Sequence, residues 1–185
     1  MKNLEAFING YAELESKIRS LMTELFEDTC GICTACCCRV DICEEAMQSA
    51  FLSLLLKQQG LDAKDLDDRY GWLDQQGCTL EVGRPPICYS YFCDQLLARL
   101  PDDDSRYATR VLGNLVDYVG REALNERHLV EIMNFDDLMK MDFDSLTLRL
   151  EEAQEACLVI EQFIETGRLS KEDHLVLSAI PLEED

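Results

Sequence analysis

Nine of the ten cysteines lie between positions 30 and 93, and the run Cys30-Gly31-Ile32-Cys33-Thr34-Ala35-Cys36-Cys37-Cys38 is the densest part. Thiolates so close together repel one another unless something binds them. Two residues between sulfurs let a tight turn aim successive thiolates at one point, the spacing used by zinc knuckles and ferredoxin-type clusters. Cys30, Cys33 and Cys36 have that spacing, and a fourth donor is available from Cys78, Cys88 or Cys93. Adjacent cysteines such as Cys36 and Cys37 project in different directions. The set therefore fits two metal ions, or a cluster with a supporting ligand, better than one simple ion. The two histidines, His128 and His174, lie well beyond the cysteine-rich region. An all-thiolate shell points to an iron-sulfur cluster or to zinc, and spacing alone does not choose between them.

A disulfide framework is the competing use of such a pattern. Small secreted domains need one because their cores are too small, but a 185-residue chain with 47% hydrophobic residues buries a core without crosslinks. The opening Met-Lys-Asn-Leu-Glu has no apolar leader run, so the expected compartment is the reducing cytoplasm. The longest apolar stretch, residues 51–56, ends at Lys57-Gln58-Gln59, which argues against a membrane span. A formal charge of −20 argues against nucleic acid as a partner. That same field opposes adding electrons to a buried redox centre and would lower its potential. Cys30-Gly31-Ile32-Cys33 also has the spacing of a dithiol redox pair, but that chemistry belongs to a strand-turn-helix setting that the pattern here does not provide.

Apolar periodicity predicts a mostly α protein. Leu4, Phe7, Ile8, Tyr11, Leu14, Ile18, Leu21, Met22, Leu25 and Phe26 lie at threes and fours, which predicts one long helix leading into the cysteines. Further helices are expected at about 44–59, 63–73, 91–100, 105–120, 122–133, 135–141 and 145–165. Gly60 and Gly167 serve as stops, and Ser170 with Asp173 caps a last segment. Irregular chain is expected at 30–43 and 77–86, with a short extended piece at 79–82. Residues 1–100 then form the first helix and cysteine-rich metal-binding region, and 101–185 a helical scaffold or a surface for a protein partner. Cys157, on an apolar helix face, is read as a core residue. Arg84 is expected to donate hydrogen bonds around the site, and Pro85 to set the approach to Cys88.

The order Cys30-Cys33-Cys36-Cys37, then Cys78, then Arg84-Pro85-Pro86-Ile87-Cys88 resembles the YkgJ-type family of zinc- or iron-chelating domains. Cys93 extends the pattern as a further cysteine does in many members. The resemblance covers residues 30–93, and Cys38 and Cys43 depart from it. It implies metal binding by Cys30, Cys33, Cys36, Cys37, Cys78, Cys88 and Cys93, and no fixed reaction. Flagellin lysine methylases are similar proteins with a related cysteine pattern, but no glycine-rich loop for a methyl donor is present here. Three readings follow: a protein holding an iron-sulfur cluster, a zinc-binding structural or interaction module, and an accessory redox or methylase-like enzyme component.

Overall fold

The computed structural model describes residues 2–30, 39–74 and 77–182. Helix α1 (Lys2–Cys30) buries Leu4, Phe7, Ile8, Tyr11, Leu14, Ile18, Leu21 and Phe26, the stripe expected from their spacing. It packs along α8 (Phe143–Thr166) and touches α6 (Asp103–Gly120), which itself lies against α8. These three helices form the platform of the fold, and their core draws on both sides of Pro101.

The ends of these helices follow from local chemistry. Asp102 caps α6 by accepting from the Ser105 amide at 2.7 Å. Asp142 does the same for α8 through the amides of Asp144 and Ser145. Gly167 closes α8 at a φ of +68°, the left-handed geometry of a helix stop. Ser170 and Asp173 form a reciprocal capping box on α9 (Lys171–Leu177), as their spacing predicts. Among the described residues no helix is long and apolar enough to cross a membrane.

Between the long helices the structure is more broken than periodicity suggests. The helix expected at 44–59 is two, α2 (Val40–Ala46) and α3 (Ala50–Gln58). Ser49 separates them: its hydroxyl caps α3 at the Leu52 amide, and the Ala50 amide is drawn to the Ile132 carbonyl. Of the helix expected at 63–73 only a 3₁₀ turn (Ala63–Asp65) forms. Asp67 then folds the chain back by accepting from the amides of Arg69 and Tyr70. The extended piece lies earlier than expected, as a small antiparallel pair of β1 (Leu73–Asp74) and β2 (Gly77–Cys78). Residues 91–100 do not make one helix, because Tyr91 and Cys93 are extended and separate the single turns α4 (Ile87–Ser90) and α5 (Asp94–Leu97).

The helix expected at 122–133 is absent apart from a 3₁₀ turn at Leu129–Glu131. Glu122, Asn125 and Glu126 all adopt positive φ, which no α-helix tolerates. His128 anchors this turn. Its Nδ1 accepts from the Val130 amide, so the proton sits on Nε2 and is donated to the Asp117 carbonyl. Burial lowers its pKa, in keeping with a neutral ring. The last short helix, α7 (Phe135–Leu138), packs on α3.

Gly113, in the middle of α6, has a packing reason that composition hides. A Cβ there would lie 2.7 Å from the Tyr89 carbonyl oxygen and 2.6 Å from the Phe92 ring. The missing side chain is what lets α4 and the chain after it sit directly on α6. Gly113→Ala therefore sets an overpacking cost of about 1–3 kcal/mol against a helix-propensity gain of about 1 kcal/mol. We expect a net loss of stability, read as a lower urea midpoint; an unchanged or raised midpoint would show that α4 is not seated closely on α6.

Candidate metal centre

The second cysteine group sits on chain whose backbone is held almost atom by atom. Four successive amides are taken by side chains from two helices. Those of Glu81 and Val82 donate to Gln59 Oε1 at 3.0 and 3.3 Å. The Gly83 amide donates to Glu15 Oε2 at 2.7 Å, and the Arg84 amide to Glu15 Oε1 at 2.9 Å. The carbonyls are equally engaged: Arg19 donates to Glu81, Gln59 Nε2 to Val82, and Arg84 to both Leu80 and Cys78. Gly83 turns at a φ of +86°, a conformation that favours glycine.

Glu15 is the hub. It is fully buried on α1, and Tyr89 of α4 adds a third donor, its hydroxyl lying 2.6 Å from Glu15 Oε1. Burial raises the Glu15 pKa, while the Gly83 amide, the Tyr89 hydroxyl, the Arg84 amide and the Arg84 charge pull the other way. Spacing already marks this residue, since it lies four positions after Tyr11 and three before Ile18, inside the apolar stripe. An acid in that stripe is a buried acid, and a buried acid needs partners. Arg84 takes the expected role of hydrogen-bond donor, aimed at backbone carbonyls.

Cys78 and Cys43 come together. Cys78 ends β2 opposite Leu73, and Cys43 lies on α2; both are half-buried against Leu56, Trp72 and Leu80. The Trp72 backbone N–H lies beside the Cys43 sulfur. Burial pushes the Cys43 thiol up, the Trp72 N–H lowers it, and the neighbouring Cys78 raises it again. Gly71, at a φ of +62°, leaves room for that sulfur, because a Cβ there would lie 2.8 Å from it. Position 43 thus lies on a helix rather than in the irregular chain expected for 30–43.

Cys88 and Cys93 are exposed, on α4 and at the start of α5. Between them, Phe92 packs against Phe26 of α1, with ring centroids 5.8 Å apart. The last turns of α1, from which the first cysteine group continues, are thereby pinned beside Cys93. Tyr89 is an anchor to Glu15, and Tyr91 is exposed. A cleft of about 440 Å³ is lined by residues of both α4 and α6, among them Ile87, Ser90, Phe92 and Asn114.

Of the expected ligands, Cys33, Cys36 and Cys37 lie outside the described residues, as does Cys38, and position 30 is the last of α1. Cys78, Cys88 and Cys93 do not converge: among the described residues no three Cys, His, Asp or Glu side chains meet at one point. Cys157 is buried on α8 with its thiol pushed up to about 12 by burial, as a core residue should be. His174 stacks on Tyr107 and faces Asp104, so neither histidine is near the cysteines in these contacts. Compared with models of protein families, with curated proteins and with solved structures, the chain matches none.

Two outcomes follow from the Glu15 hub. Glu15→Ala strands two amides and a hydroxyl in the interior and should cost on the order of 3 kcal/mol, measured by urea unfolding under reducing conditions. A group whose folded pKa is raised stabilises fully below its unfolded value and loses that contribution as pH rises through the folded value. The stability difference between the native chain and Glu15→Gln should therefore shrink as pH rises from about 5. A difference that grows over that range would mean that Glu15 is held as a favoured carboxylate.

Proposed function

We propose that this is a cysteine-ligated metal-binding protein, with an iron-sulfur cluster as the first reading and a zinc site as the alternative. The observation that carries the proposal is the contrast within residues 78–93. The backbone between Cys78 and Cys88 is locked by Glu15, Gln59, Arg19 and Arg84, while Cys88 and Cys93 themselves stay exposed. Rigid support beneath accessible donors is what a ligand site requires, because the binding energy is then not spent on ordering the chain.

The donors fit the group. Thiolates suit both zinc and iron-sulfur clusters, and the amide beside Cys43 is the kind of N–H···S contact that stabilises a metal-bound thiolate. In this reading Cys30, Cys33, Cys36 and Cys37 join Cys78, Cys88 and Cys93 as ligands, with α1 bringing the first group to the second. Bound zinc would supply a structural clamp, and a cluster would supply electron transfer. The net charge of −20 then biases a cluster toward low potential.

Among the described residues the thiols share no single point of convergence, which favours two metal ions, or a cluster with outlying ligands. The methylase-like reading draws support only from the cleft at α4 and α6, whose lining mixes Arg110, Asn114 and Asp117 with apolar side chains.

Anaerobic purification with elemental analysis and an absorption spectrum tests the proposal. Iron with acid-labile sulfide and a brown colour selects the cluster, and stoichiometric zinc in a colourless protein selects the alternative. Cys33→Ser and Cys88→Ser should each lower the metal content. Full metal retention in both variants would remove those residues from the ligand set.

A further inference from the structure

We propose that Cys43, which lies outside the motif order, is a metal ligand, and that it acts with Cys78 as a two-sulfur half-site for a thiophilic cation. The inference rests on the metal-binding reading above and extends it to a residue and a place of its own.

Three features of the structure meet at this pair. The first is the meeting itself: α2 and the small hairpin carry the two sulfurs from well separated parts of the chain to one half-buried spot beside Leu56, Trp72 and Leu80. The second is the Trp72 backbone N–H, close enough to the Cys43 sulfur to lower the pKa of its thiol. A neutral thiol is a weak acceptor and returns little for such a contact, whereas a metal-bound thiolate uses it fully. The third is Gly71, whose bare Cα leaves the space the sulfur occupies and whose positive φ turns the chain around it. Arg84 adds a fixed frame by holding the carbonyl of Cys78 itself.

Packing alone does not ask for these features. Cys157 is the comparison within this chain: it is buried on an apolar helix face, and burial, Lys17 and Glu161 are what act on its thiol. Cys43 and Cys78 are only half-buried, so an ion can reach them from solvent. On binding, each thiol releases its proton to water and the two thiolates fill two positions of a four-coordinate shell. The other two positions belong to donors beyond this pair, because no third ligand side chain joins it among the described residues.

The test uses the full reduced chain, without substitution, loaded anaerobically with cobalt(II), whose visible bands report thiolate ligation. Each cysteine is then alkylated with iodoacetamide, with and without the metal, and its rate is read by peptide mass spectrometry. The proposal predicts that Cys43 and Cys78 are both slowed, by about tenfold or more, and that Cys43→Ser weakens the thiolate-to-cobalt band as much as Cys78→Ser does. Protection of Cys88 with no protection of Cys43 would overturn this inference and leave the metal reading standing. No cobalt bound and no thiol protected would overturn both. A Cys43–Cys78 disulfide in chain purified anaerobically would overturn the half-site in favour of a redox pair.

Discussion

The buried carboxyl group of Glu15 is the interaction on which the cysteine-bearing half of the structure depends. Leaving a carboxyl group without water costs several kcal/mol unless its oxygens are satisfied. Here they accept from two consecutive amides and a tyrosine hydroxyl, each on the chain that carries Cys78 and Cys88. The constraint acts in both directions. Glu15 is tolerable inside only because the loop is present, and the loop, which has no regular secondary structure of its own, holds its shape only because Glu15 and Gln59 take its amides. Irregular chain normally stays at the surface because its polar groups need partners. Side chains of α1 and of Gln59, at the end of α3, supply those partners in place of water.

This arrangement ties the metal-binding proposal to the helical core. α1 buries an apolar stripe against α8 and presents Glu15 to the loop. Near its end Phe26 packs on Phe92, next to Cys93 in the chain. The same helix thus sets the loop, the aromatic contact and the point from which the first cysteine group departs. Gly113 completes the seating by letting α4 lie on α6 without an intervening side chain. Under this account the cores of α1, α6 and α8 are the support of a thiol surface. The Cys43–Cys78 pair, backed by Trp72 and Gly71, is a second and more sheltered part of that surface.

The long helices were legible from sequence because their apolar stripes exceed four turns and their stops are chemically distinct. Gly167 and the Ser170–Asp173 box did what their residue types require. The expected helix at 122–133 was not realised, because three residues there adopt positive φ and His128 is drawn to the Asp117 carbonyl, a contact between elements that periodicity does not register. The split at Ser49 is of the same kind, since the amide that follows it is claimed by the distant Ile132 carbonyl. Cys157 and Arg84 were readable from their settings. Glu15 carried a usable signal, an acid within an apolar stripe, but its partners are 68 to 74 residues away in the chain. Cys43 is legible only as one more thiol of the dense run, outside the motif order, because Trp72 and Gly71 reach it only through the folded hairpin.

The central claim is that the thiols of this chain, held by a rigid protein frame, form the first shell of a metal centre. X-ray absorption at the metal edge of the anaerobically purified protein addresses that shell directly. The account predicts a first shell of sulfur alone, at about 2.3 Å if the metal is zinc. A shell dominated by nitrogen or oxygen, or protein that carries no metal under those conditions, would contradict it.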